Sequence, residues 1–258
     1  MSNPLPIGAM GWALDKENIK DLEANGCNTK ELLAQAKDVL PPFNSLANPK
    51  DIVNILDQRN QGACQGHALA MMFSICFFLK TGRWYEFSRA AGYYLSQRYD
   101  GIRGDSGSTL SAGRKVATDH GMCLERDWPY PSSYNPREPS GIDYPYKIKV
   151  TQPIRDIEIA MEWLSLGLPI QTGIVWGNNM SKELVTQGDT RGGGHSTSLW
   201  LLTIEGYVRN LNSWGGSWNG DGVHQWTKQA FAGMLANQNN VFIGYAPDDM
   251  EYPIPDVI

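Results

Sequence analysis

Cys64, His195 and Asn212 have the side chains that acyl transfer needs: a nucleophile, a base and a group able to orient that base. Cys64 closes the stretch Asp57-Gln-Arg-Asn-Gln-Gly-Ala-Cys64 and precedes an apolar run, Ala68 to Leu79, broken only by Ser74. A thiol at a helix N-terminus faces backbone N–H groups without intrahelical partners and the positive end of the helix dipole. Its thiolate is favoured there and its pKa is expected to fall. Gln58 offers an amide donor on the same loop. A lone cysteine is more often a small buried hydrophobe, so chemistry at Cys64 requires a histidine from elsewhere in the fold and a group that fixes its ring.

Both occur downstream. His195 lies in Arg191-Gly-Gly-Gly-His-Ser-Thr-Ser-Leu-Trp-Leu-Leu-Thr203, where three glycines precede an apolar, β-branched and aromatic segment that reads as a strand. The chain turns near Glu205-Gly206 and returns as Tyr207-Val-Arg-Asn-Leu-Asn212. An antiparallel hairpin centred near Ile204 brings His195 and Asn212 together. An asparagine oxygen that accepts from one ring nitrogen leaves the other to face the thiol.

Asn212 continues into Ser213-Trp-Gly-Gly-Ser-Trp218. With that motif the chain resembles the papain-like (C1-type) cysteine peptidases, in texture nearer their bacterial and phage-type members. The resemblance implies Gln58 as the oxyanion-hole glutamine, Cys64 as nucleophile, His195 as base and Asn212 as orienting asparagine, in family order and at the family's separations. Trp214 matches the indole that shields the His–Asn hydrogen bond from water. Asp105-Ser-Gly-Ser-Thr-Leu110 and Trp128-Pro-Tyr130 are similar to the substrate-binding glycine loop and the turn that follows it. Gly107, Ser108, Gly194 and Trp214 are therefore expected at the substrate site. Gly107 is expected against an extended polypeptide, because a missing side chain lets two backbones approach. The implied fold is α+β, a two-subdomain papain-like fold. A helical subdomain around a central nucleophile helix faces an antiparallel β-barrel-like subdomain, with the cleft between them. No metal or organic cofactor is implied.

The departures from the family pattern are as specific as the matches. Gln65 stands where an aromatic usually follows the nucleophile, and Gln61 where a disulfide cysteine usually precedes it. Gly194 replaces an acidic residue before the base, and Asn219 replaces a glycine after the second tryptophan. A second register, reading Asn60-Gln61-Gly62 as the family's Asn-Gln-Gly, would put His67 at the nucleophile position and make the chain an inactive homologue. Gly62-Ala63-Cys64 supplies the small residues expected before a thiol, which favours Cys64.

A chain of 258 residues can bury about 75% of its unfolded surface, enough for two packed subdomains. Cysteines at 27, 64, 76 and 123 show neither paired nor metal-ligand spacing, which favours reduced thiols in a cytosol-like compartment. The net charge of −5 gives no basic footprint for nucleic acid. The N-terminus lacks the pattern of a signal peptide, and the apolar run after Cys64 is too short to span a bilayer of ~30 Å. A cytoplasmic location without membrane contact is expected, in a bacterial cytosol or a phage-infected cell.

Helical patterns cover residues 15–25, 28–39, 68–80, 86–98, 109–120 and 153–166; strand patterns cover 146–150, 170–176, 195–203, 207–212, 222–227 and 241–245. Leu40-Pro-Pro42 breaks any helix where the mature family enzyme begins, so residues 1–39 read either as a short self-inhibiting prosegment or as a helical hairpin packed on the domain. His67 reads as a packing residue one helical turn from Cys64. His120 reads as a helix C-terminal residue favoured when charged, and His224 as structural or exposed. The implied reaction is hydrolysis of a peptide bond in an extended polypeptide. An amidase or peptidoglycan hydrolase using the same residues, a transglutaminase-like acyl transfer and a catalytically silent binding domain are the competing readings.

Overall fold

The computed structural model describes residues 52–247 and 250–253. The expectations for residues 1–39 and for Cys27 lie outside them. The first half is helical. Helix α1, Cys64–Thr81, is buried along nearly all its length, as its continuous apolar composition requires. No side chain caps its start, and Gly82 closes it in the left-handed conformation. Helix α2, Arg89–Asp100, begins at Ser88, whose hydroxyl accepts from Ala91 N–H. Helix α3, Leu110–Lys115, begins at Thr109 in the same way and runs on as a π turn over Val116–His120.

Helices α1 and α2 meet backbone to backbone. A β-carbon on Gly66 would lie 2.5 Å from the Tyr93 nitrogen, and one on Gly92 would lie 2.7 Å from the Gly66 oxygen. Glycine is required at both positions by contact, not by backbone angle. The close approach fixes where Tyr93 leaves α2, and its hydroxyl donates to Asp105 at 3.0 Å in the loop joined to the segment before Cys64.

The second half is built on a seven-stranded sheet in the order β2-β8-β3-β5-β6-β7-β4. Its strands are β2 (Thr151–Pro153), β3 (Ile170–Trp176), β4 (Leu184–Val185), β5 (Gly193–Leu202), β6 (Val208–Leu211), β7 (Val223–Trp226) and β8 (Val241–Tyr245). Strands β1 (Lys147–Ile148) and β9 (Met250–Glu251) form a separate antiparallel pair. The sheet is not wholly antiparallel as expected, because β4 pairs parallel with β7. Helix α4, Ile157–Ser165, starts at the Asp156 cap, and Pro153 lies in an edge strand instead of opening that helix. Helix α5, Lys228–Ala236, capped by Thr227, falls where the sequence pattern marks no element. Trp163, Trp176, Trp200, Trp226, Phe231 and Phe242 are among the largest fully buried side chains. Helix α1 packs on both β3 and β5, which joins the helical half to the sheet.

Gly66→Ala should force α1 and α2 apart and destabilise the protein by about 1–3 kcal/mol, the usual cost of overpacking. A urea unfolding midpoint unchanged in this variant would contradict the proposed contact.

Candidate active site

The segment before α1 is stitched to the segment after β6. Asp57 pairs with Trp214 as an isolated antiparallel bridge, Gln58 N–H donates to the Ser213 carbonyl at 2.8 Å, and Gly215 N–H donates to that of Leu56 at 3.0 Å. These contacts orient Gln58. Its Oε1 accepts from the Ser213 hydroxyl at 2.5 Å, and its Nε2 donates to the Gln61 carbonyl at 2.8 Å. The Gln61 carbonyl can only accept, and that settles which end of the carboxamide is NH₂. Cys64 follows as the first residue of α1 and is buried.

His195 enters from β5. Gly192 lets the strand start close to β3: a β-carbon there would lie 2.0 Å from the Trp176 carbonyl oxygen. The β5–β6 hairpin pairs Ser198 with Leu211 and Leu199 with Asn210, with an irregularity between Leu199 and Leu202. Continued outward, that register sets Trp214 across from His195 and Asn212 diagonal to it on the same face. Both relations are realised. The Trp214 indole stacks on the His195 ring with centroids 4.7 Å apart, and His195 Nε2 lies 2.8 Å from Asn212 Oδ1. The same oxygen accepts from Ser213 N–H at 2.8 Å. A backbone N–H can only donate, so this atom is the amide oxygen and His195 Nε2 carries the proton it shares. His195 Nδ1 is left as the lone-pair nitrogen, and no group among the described residues hydrogen-bonds to it. Trp176 closes the ring's edge at 4.7 Å. Burial lowers the His195 pKa to about 4, against the raising influence of the Asn212 hydrogen bond.

Gln171, in β3, ties the two walls together and was not singled out from the sequence. Its Nε2 donates to the Gln65 carbonyl at 3.2 Å and to the Ser196 hydroxyl at 3.4 Å, so one nitrogen touches the residue after Cys64 and the residue after His195. Tyr245 Oη–H donates to its Oε1 at 3.0 Å. The visible signal for Gln171 is a lone amide in a strand whose other residues are apolar, glycine or threonine. Gln65 occupies the space expected of an aromatic: it is buried against α3, where a β-carbon on Gly113 would lie 2.0 Å from its amide nitrogen.

The glycine-containing loop differs from expectation. Gly107 and Ser108 are buried. Gly107 N–H donates to Tyr93 Oη at 3.2 Å, its carbonyl accepts from Gln97 Nε2 at 2.9 Å, and the Ser108 hydroxyl donates to Asp100 at 2.6 Å. Both residues brace the loop from inside, and its exposed part is 103–106. The Gly107 N–H and carbonyl thus each already have a partner inside the loop. Asp105 Oδ1 accepts from Gly62 N–H at 2.8 Å and so joins this loop to the segment before Cys64. No disulfide does so, since Cys64, Cys76 and Cys123 are not disulfide-bonded. Gly194 is half-buried in β5 opposite Val175. Tyr130 Oη–H donates to the Gln58 carbonyl at 3.1 Å, and the Arg59 and Arg89 guanidinium groups lie over its ring. Asn219 sits at φ 53°, a conformation asparagine tolerates better than most residues, which accounts for its replacing a glycine.

The other histidines differ in surroundings. His67 is buried with Nδ1 2.9 Å from the Ala63 carbonyl, and its ring meets Tyr130 edge-on at 4.5 Å. His224 is buried among Trp176, Trp218 and Trp226, and its Nε2 accepts from Trp226 Nε1–H at 3.2 Å. His120 packs between Tyr99 and Tyr144, and burial lowers its pKa, so the charged ring expected at that helix end is disfavoured. Among the described residues no group of three His, Cys, Asp or Glu side chains is arranged to hold a metal ion.

Burial holds His67 and His224 at a pKa of about 3 and His195 at about 4, against 6.5 for an ordinary imidazole. Between those values the unfolded chain binds protons that the folded protein refuses, so stability present above pH 6.5 is lost as pH falls through this range. Thermal unfolding should shift to lower temperature from pH 7 to pH 5 with net proton uptake. His224→Phe should reduce that uptake by about one proton; a pH-independent melting temperature would refute neutral burial of the three rings.

No protein-family model and no curated protein sequence matches the chain. Solved structures do. Xylellain, a cysteine protease from Xylella fastidiosa, superposes with a TM-score of 0.72 at 22% identity, over 95% of this chain and 99% of that one. Procathepsin B S9 from Trypanosoma congolense gives a TM-score of 0.65 at 16% identity over 92% and 85% of the two chains. The Carica candamarcensis cysteine protease CMS1MS2 gives 0.58 at 14% identity over 76% and 93%. With its helical half, its sheet and the loop-to-sheet stitching described above, the chain has the papain-like fold.

Proposed function

We propose that this chain is a cysteine peptidase that hydrolyses peptide bonds through a Cys64 thioester. The observation that carries the reading is the 2.8 Å His195–Asn212 hydrogen bond, which leaves Nδ1 as the proton acceptor beneath a stacked Trp214. The papain-like fold supports it. Cys64 gives its proton to His195 Nδ1, and the thiolate attacks the substrate carbonyl. The oxyanion is held by Gln58 Nε2–H and the Cys64 backbone N–H. His195 returns the proton to the leaving amine, the C–N bond breaks, and a thioester remains. Water, deprotonated by the same nitrogen, adds to the thioester and releases the carboxylic acid and the thiol. A neutral ring at rest suits this cycle, since the imidazolium forms only when a thiolate is present to balance it.

The reading extends to residues 1–39 as a self-inhibiting segment, supported by the proform among the similar structures, and to a polypeptide substrate bound in extended form. An amidase or peptidoglycan hydrolase is separated from it by assay on casein against purified cell wall.

Cys64→Ala should abolish casein hydrolysis and labelling by a thiol-directed epoxide, read by intact-protein mass spectrometry. Residual turnover equal to wild type would sink the assignment. Gln58→Ala should stay labelled but turn over about 10²–10³-fold more slowly, the usual cost of one oxyanion donor.

A further inference from the structure

Helix α1 and the segment carrying Asn212 enclose a cavity of about 10 Å³ lined in part by Leu56, His67, Met71, Ser196, Asn212 and Ser213. Two of these residues bring buried polar atoms of opposite kind that lack a hydrogen-bond partner. His67 Nδ1 meets a carbonyl oxygen and so carries its ring's proton. The 2.9 Å bond at Nδ1 is the well-formed one, so in the neutral ring that burial favours Nε2 is an acceptor, with the Asp57 carbonyl against the ring but no well-formed hydrogen bond. Asn212 Oδ1 is identified by the Ser213 N–H that donates to it, so Nδ2 is a donor, and it is orphaned. His67 is 1% exposed and Asn212 3%. Burying a donor and an acceptor beside one cavity and leaving both unmet is costly, whereas one bridging molecule satisfies both.

We propose that a single ordered water fills this cavity, accepting from Asn212 Nδ2–H and donating to His67 Nε2, and that His67 is thereby a positioning residue for the His195–Asn212 pair. The cavity matches one water in size. The Asp57 carbonyl also lies against the His67 ring without a well-formed bond to Nε2, and it offers the water's second O–H an acceptor. Three partners are typical of a buried water. The bridge ties the helix that begins at Cys64 to the carboxamide that orients the base, and it resists rotation of that carboxamide. Its catalytic consequence rests on the peptidase reading; the water itself does not.

A crystal structure of the wild-type protein at atomic resolution tests the water directly. Density within hydrogen-bonding distance of both Nε2 and Nδ2 supports it, and a cavity without ordered density, or a water touching neither atom, overturns it. His67→Phe keeps the ring's packing and removes the acceptor; kcat on a peptide substrate should fall about tenfold with KM little changed. His67→Gln restores a donor and an acceptor and should recover most of that loss. In an Asn212→Ala background His67→Phe should cost nothing further, and a second tenfold loss there refutes positioning through Asn212. Should His67→Phe fail to fold, the Gln variant and the wild-type crystal decide. A wild-type protein inert on peptides defeats the peptidase reading alone, because the crystallographic result does not depend on turnover.

Discussion

The carboxamide oxygen of Asn212 is the point on which the site turns. It accepts from a backbone N–H and from the imidazole at once. The first bond fixes which amide atom it is, and that fixes the protonated nitrogen of His195 and the nitrogen left with a lone pair. Packing by Trp214 and Trp176 excludes water from this bond, and low local dielectric strengthens it. The same burial lowers the imidazole pKa, which favours the neutral ring.

Everything else in the fold serves that placement. The β5–β6 register sets Trp214 and Asn212 against His195, and Gly192 gives β5 the clearance to start close to β3. Gln171 then joins the strand carrying His195 to the helix carrying Cys64 through one amide nitrogen. On the other side, Ser213 and Tyr130 hold Gln58 by its side chain and its carbonyl. Hydrogen bonds from Gly62 and Tyr93 to Asp105 join the loop before Cys64 to its neighbour, at the place where the family resemblance would have put a disulfide. The Gly66–Gly92 contact sets the position of Tyr93 and so supports that junction from behind.

The buried histidines show how one residue type takes different roles from its surroundings. His195 has one nitrogen bonded and one without a hydrogen bond, in a cage of indoles near the start of the central strand β5. His224, in the adjoining tryptophan cluster, has Nε2 bonded to Trp226 and Nδ1 near the Lys182 carbonyl, which leaves no nitrogen for catalysis. His67 lies between these cases, with one nitrogen committed to its own helix and the other facing the junction of helix and sheet.

Local chemistry was legible in the amino-acid order. A small-residue loop before a cysteine and an apolar run reads as a buried helix with a thiol at its start, and glycines before β-branched and aromatic residues read as a strand. A turn at Glu205-Gly206 folds that strand back so that His195 nears Asn212, and the Asn-Ser-Trp motif carries the family resemblance. These features depend on periodicity and on residues close in the chain. The closure of Gly107 by Tyr93 and Gln97, the bridge made by Gln171, the parallel pairing of β4 and the surroundings of His67 and His224 were decided only by the tertiary structure. Each depends on which buried donor meets which acceptor across long sequence separations, and local pattern carries no record of that pairing.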